Sequence, residues 1–200
     1  MKKHAIALLI LVGVLLLTAC QTTPAPTAAP NEPPVATEAP TEAPTEETGE
    51  PVLTLEGLTE TKTFTLAELK ALPSAEGQAG FISSTGKITT PRLYKGVLLT
   101  ELARLVGADS SEMGIQLIAS DGYSMTFSYD QVANGDFITY DPATGDEIAD
   151  VGALQAILAY EVDGQPLDAE RDGILRLMVI SEKNNQVVDG HWSEIGRAHV

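Results

Sequence analysis

The only thiol in the chain is Cys20, and the residues before it decide its chemistry. Leu17-Thr18-Ala19 places two small side chains directly ahead of the sulfur, which suits a signal-peptidase cleft. The thiol can then accept a diacylglycerol. With Cys20 committed to lipid, no sulfur remains as nucleophile, metal ligand or disulfide half. The remaining reactive side chains are dispersed. Asp141, Asp146, Glu147 and Asp150 are candidates for Ca²⁺, but Asp-Pro-Ala-Thr-Gly-Asp lacks the alternating oxygen ligands of a calcium loop, so a solvated turn is favoured. Tyr123, Met125 and Phe127 are candidates to line a cleft, although core packing explains them more simply. His191-Trp192, on the expected final strand, has no second metal ligand nearby and reads as packing. No Ser/His/Asp constellation, zinc spacing, P-loop or dinucleotide fingerprint is found.

The elements that position Cys20 are short. Met1-Lys2-Lys3-His4 is a basic start, and Ala5 to Leu17 is almost wholly apolar. That run falls short of the ~20 residues a spanning helix takes. Basic start, apolar run and small residues before the cut make residues 1–19 a secretory signal, and the cut site resembles the bacterial lipobox. Stable anchoring takes more than one acyl chain, which a diacylated and N-acylated Cys20 supplies. The expected location is therefore the cell envelope, outside the cytoplasm.

From residue 20 to 51 the composition changes. The segment after Cys20 carries eight of the twelve prolines and six glutamates, with no Lys, Arg or aromatic residue. Thr37-Glu38-Ala39-Pro40 repeats as Thr41-Glu42-Ala43-Pro44. So little apolar surface cannot offset the entropy of ordering, so a disordered spacer is expected. At about 3.1 Å per residue its reach is at most ~95 Å. A Pro-rich ligand for a partner domain is less favoured, because no basic or aromatic anchor flanks the prolines. The whole chain carries a formal charge of −16, and removing Lys2 and Lys3 with the signal leaves −18. Such a surface is repelled by nucleic acid, which is set aside as a partner.

Residues 52–193 are long enough for one domain with a real core. Val52 to Glu56 alternates as a strand ending at Gly57. Thr65-Leu66-Ala67-Glu68 is a capping box before a helix that stops at Pro73. Phe81-Ile82 is expected to begin a strand, with a hairpin turn at Ser84 to Lys87. Leu98, Leu102, Leu105 and Val106 recur at helical spacing up to Gly107. Ile115 to Ala119 and the alternating Tyr123 to Tyr129 read as paired strands around Asp121-Gly122. Further strands are expected at Phe137 to Tyr140, Glu147-Ile148, Ala156 to Val162 and Ile174 to Ile180. Strands mixed with two short helices predict an α+β domain with a mixed sheet.

Four segments in order carry a resemblance: Tyr94-Lys95-Gly96-Val97-Leu98-Leu99, Leu117 to Tyr123, Ile157 to Leu167 and Gly173 to Val179. Together they resemble the sulfite-oxidase-type, or oxidoreductase molybdopterin-binding, domain over about residues 52 to 192. The resemblance implies that mixed-sheet fold and a pterin-bound molybdenum held by one Cys thiolate. That Cys is implied within Gln78 to Ser84, where this chain reads Gln-Ala-Gly-Phe-Ile-Ser-Ser. The ligand is absent, and Arg92, Lys95, Arg176 and Lys183 are sparse cations for an anionic pterin.

The tail Glu194-Ile195-Gly196-Arg197-Ala198-His199-Val200 is the translation of a common sequencing adaptor, so residues 194–200 are expected to be read-through. The chain is thus expected to be a lipid-anchored, non-catalytic binding or interaction module. Arg92, Tyr94, Asp121, Tyr123, Arg176 and His191 are expected around any cleft, with no catalytic residue and no metal ligand assigned. No cofactor is expected, with molybdopterin the alternative. The partner is the membrane through Cys20, together with a small molecule or an envelope protein. An oxidoreductase with an atypical metal ligand and a solute-binding lipoprotein are the rival readings.

Overall fold

The computed structural model describes residues 49–193. The signal, Cys20, the tether as far as residue 48 and the tail 194–200 lie outside the described residues. The described residues all belong to one compact unit.

Eleven strands and three short α-helices are described, an α+β arrangement dominated by sheet. Strands β1 (Pro51–Glu56) and β2 (Thr61–Thr65) form an antiparallel pair. Pro51 opens β1, a position where its missing N–H is tolerated, so the strand starts on the last residue assigned to the expected tether. Helix α1 (Leu66–Ala71) starts at Thr65, with both halves of the capping box formed. β3 (Ser74–Ile82) and β4 (Ile88–Leu98) make a long hairpin, followed by α2 (Leu99–Leu105). β5 (Gly114–Ile118) and β6 (Ser124–Ser128) form a second separate hairpin, and α3 (Tyr129–Asn134) follows. After these come β7 (Thr139–Tyr140), β8 (Leu154–Val162), β9 (Gln165–Pro166), β10 (Arg176–Ser181), β11 (Val187–Asp189) and a 3₁₀ turn at Gly190–Ser193.

The main sheet runs β10-β8-β4-β3-β11-β7, with β9 paired to β8. Its pairs are antiparallel except β11 with β3, which makes the sheet mixed. β8 and β10 are buried on both faces, which is why they read as unbroken apolar runs. Their side chains separate with period two. Leu158, Tyr160, Leu177 and Val179 enter one core cluster, under the helices and Phe127. Ile157, Ala159, Met178 and Ile180 enter the other, with Tyr94 and Leu167.

Several boundaries depart from expectation, each for a physical reason. Phe81-Ile82 ends a strand rather than beginning one, because the Gly- and Ala-rich run before it pairs along its length with β4. Gly80 sits where the register shifts between Ala79 and Phe81, and a Cβ there would lie 2.5 Å from the Thr89 carbonyl oxygen and 2.8 Å from the Pro91 nitrogen. The bulge lets a proline occupy an interior strand. Tyr129 opens a third helix, since the Ser128 hydroxyl accepts from the Gln131 amide 3.1 Å away. Ile174 lies outside β10 and is half exposed, and Glu147 makes only an isolated bridge to Tyr140. His191 is on the 3₁₀ turn after β11, not on a strand. No helix among the described residues is long and apolar enough to cross a membrane.

Candidate functional site

Three of the six expected cleft residues meet on one face of the main sheet. The Asp163-Gly164 turn between β8 and β9 has positive φ at both positions, 50° and 73°, the backbone of a tight hairpin turn. It places Asp163 against β4, where its carboxylate accepts from Arg92 Nε at 2.7 Å and from the Leu93 amide at 3.0 Å. Those two bonds hold the Asp163 carboxyl below the usual carboxylate range. Arg176, at the start of β10, is buried. Its Nη1 donates to Asp172 at 2.6 Å and its Nε to the Ser193 carbonyl at 3.0 Å. The guanidinium also lies 4.9 Å from the Phe81 ring centre. Arg171 makes a second bond to Asp172, at 2.7 Å. Tyr94 is buried beside these groups, and burial pushes its hydroxyl pKa up, against the pull of Arg176 and Arg92.

The other three expected residues lie elsewhere. Asp121 and Tyr123 belong to the β5–β6 turn, where the Asp121 carboxylate accepts from the Tyr123 amide at 2.9 Å. Tyr123 packs on the core cluster of the opposite sheet face from Tyr94. The six residues therefore do not gather in one cleft, because Asp121 and Tyr123 belong to a hairpin separate from the main sheet and His191 to the 3₁₀ turn after β11. His191 Nδ1 lies 2.6 Å from Asp189, and its ring stacks 3.8 Å from Trp192. Partial burial raises the Asp189 pKa, but the His191 bonds outweigh it and the net shift is downward. Trp192 packs on Phe127 and Phe137. The oxygen of Asp141 caps its own turn, accepting from the Ala143 and Thr144 amides.

The arginine corner does not fit a pterin-bound molybdenum. Gln78 to Ile82 is paired strand, with Ala79 and Gly80 buried. Ser83 Oγ is held by Thr85 at 3.0 Å and by the Lys87 amide at 3.0 Å. Neither offers the soft thiolate that such a metal takes. Arg92, Arg171 and Arg176 each already face a carboxylate, so among the described residues these arginines leave no uncompensated cation for a phosphate.

A second concavity, absent from the sequence reading, lies on the face that carries the helices. A groove of ≈ 960 Å³ runs between β1, α2, β5 and the segment 169–175. Buried Leu99, Leu102, Val106 and Leu158 line its depth. Two contacts fix β1 beside it: Lys62 Nζ donates to the Leu105 carbonyl at 2.6 Å, and Gly57 lets the β1 end close on the Val106 backbone. Phe127, buried against Trp192, fixes the β5–β6 hairpin on the other side. Ile118 (65% exposed) and Ile174 (50%) stand on the groove, two of the four most exposed large apolar side chains among the described residues.

No family model matches the chain, and no curated protein matches it in sequence.

The groove residues carried a partial signal. Leu102, Val106, Ile115 and Leu117 were legible as amphipathic helix and strand positions. What was not legible is that β1 and β5 border one groove, because that depends on how two hairpins outside the main sheet are placed.

Proposed function

We propose that the chain is an extracytoplasmic binding module, anchored by lipid at Cys20 and carried on the Pro-rich tether, that captures its partner in the β1–β5 groove. One observation carries this reading: a ≈ 960 Å³ groove with an apolar depth and exposed Ile118 and Ile174, at the upper end of the size range of ligand sites. Exposed apolar surface of this kind, rimmed by polar groups, marks interaction sites. The lipobox-like Leu17-Thr18-Ala19-Cys20 supports the anchor, and the absence of a thiolate near Gln78 to Ser84 supports binding rather than molybdenum redox chemistry.

Two measurements test the proposal. Titrating the folded domain with an anilinonaphthalene sulfonate dye should move amide resonances of β1, α2, β5 and residues 169–175. Shifts confined to other surfaces would remove the groove as the binding site. In cells, Cys20→Ser should move the protein from the membrane fraction to the soluble fraction, and retention in the membrane would refute the anchor.

A further inference from the structure

Every residue from 50 to 56 borders the groove, and so does every residue from 115 to 120. A strand that turns one face to a cavity lines it with alternate residues, because successive side chains point to opposite sides. Consecutive lining means that the strand's edge, with its backbone N–H and C=O groups, borders the space. Both edges are unused among the described residues. Among the described residues β1 pairs with β2 alone and β5 with β6 alone. No other backbone bond among the described residues is made by Val52 to Glu56 or by Ile115 to Ile118. Unpaired edges are templates for another strand, and natural folds ordinarily blunt them. Here two of them flank one apolar groove.

We propose that the groove takes an extended polypeptide segment, which adds as a strand between β1 and β5. This rests on the reading of the groove as the binding surface and names the class of partner. Three features favour a strand over a compact solute. The seven bordering residues 50–56 span ~20 Å at the rise of a strand, longer than a small molecule needs. The two edges offer regularly spaced backbone donors and acceptors, which give affinity in strand addition, while pockets for alternate side chains give selectivity. Leu99, Leu102 and Val106 supply such an apolar wall on one side only, so the matching segment is apolar at every second residue. Charge sets the flanks. Glu50 and Glu56 stand at the two ends of the β1 border, in a chain of net −16, so the segment carries Lys or Arg outside its apolar positions. The glutamate- and proline-rich tether has the wrong charge and cannot complete a ladder.

The test uses the full chain with Cys20→Ser, so that it is soluble, and three probes: a short peptide of alternating valine and threonine flanked by lysines, the same peptide N-methylated at alternate residues, and the anilinonaphthalene dye. The parent peptide should bind and slow amide exchange along both β1 and β5. N-methylation removes the backbone donors while keeping apolar contact, and should weaken binding at least ~tenfold. Ile118→Lys together with Ile174→Lys should weaken it by a similar factor, with the fold unchanged by circular dichroism. Equal binding of both peptides, or dye binding with no peptide binding, would overturn strand addition and leave the groove as a solute site. Concentration-dependent protection of β1 and β5 without peptide would make a second copy of this chain the occupant and overturn the proposal. If neither peptide nor dye reaches the groove, the binding reading falls with it.

Discussion

The arginine corner and the β1–β5 groove use opposite faces of the central sheet, and they differ in how much of their polar chemistry is satisfied internally. In the corner Arg92, Arg171 and Arg176 are matched to Asp163 and Asp172, and the Ser193 carbonyl takes the remaining Arg176 donor described. Its concentration of charge looks functional in a list of residues but resolves into structural pairing. The groove has almost no charge in its depth, and its two strand edges have no backbone partner beyond their own hairpins among the described residues. A buried polar group without a partner costs free energy, and among the described side chains the Ser193 hydroxyl beside the corner is one such group. The expected cleft included Arg92, Tyr94 and Arg176 of the corner, while among the described residues the unpaired strand edges lie at the groove.

The largest effect should come from breaking the corner. Arg176→Met removes the donor to Asp172 and to the Ser193 carbonyl, both buried. Removing one partner of a buried pair costs about 3–5 kcal/mol. The lower end, about 3 kcal/mol, is expected, because Arg171 still faces Asp172. Urea unfolding checks this, and a loss near zero would mean that the corner is not structural and reopen it as a site.

The groove's depth should respond less. Leu102→Ala removes a buried side chain from α2 that lines the groove. Leu→Ala in a closed core costs about 2–5 kcal/mol. Because this position opens on the groove, the lower end, about 2 kcal/mol, is expected in the same urea assay, with the groove enlarged rather than closed. A loss as large as that of Arg176→Met would place Leu102 in sealed core.

Acid separates the two regions in another way. The Asp163 carboxyl is depressed by Arg92 and by the Leu93 amide. Its contribution is therefore present above the carboxyl's unfolded pKa and is lost as pH falls through the lower folded value. The pair is exposed, so screening keeps the effect small. The direct readout is the protection of the Leu93 amide relative to an unstructured amide at the same pH, which should fall in acid before that of the β8 amides. Leu93 and β8 opening together at one pH would argue against a local loosening at this turn.

How much of this was legible in the sequence follows from the range of the forces. The capping box at Thr65 and Glu68, the turns at Gly86 and Gly122, and the α2 stop at Gly107 are local devices, and each formed where the residues placed it. β8 and β10 were legible as apolar runs, although their edges shifted by a few residues. The β3–β4 hairpin was largely missed because Ser74 to Gly80 has little hydrophobicity, and its stability comes from neighbours on both sides. Helix α3 was missed because the alternation of Tyr123 to Phe127 carried the strand reading past the Ser128 cap. Of the six expected cleft residues, Arg92, Tyr94 and Arg176 lie together on the main sheet, whereas Asp121 and Tyr123 sit on the β5–β6 hairpin and His191 on the 3₁₀ turn. Which edges stay unpaired depends on the docking of both hairpins, and no local spacing encodes it.

The smallest stability effect is expected at the groove rim, and it sharpens the comparison most. Ile118 and Ile174 are 65% and 50% exposed, so little of either side chain is withdrawn from water by folding. Ile118 ends β5 and points away from the core, with Ile115 and Leu117 turned inward. A surface substitution of this kind ordinarily changes stability by no more than about 0.5 kcal/mol. Ile118→Lys should therefore leave the urea midpoint nearly unchanged, unlike Arg176→Met and Leu102→Ala. If Ile118 were kept apolar for the fold, the loss would instead approach ~2 kcal/mol, as for a buried aliphatic chain. A midpoint that holds, combined with weaker peptide binding, would leave recognition as the role of that exposed isoleucine. A midpoint that falls sharply would return Ile118 to the core and remove one wall from the proposed site.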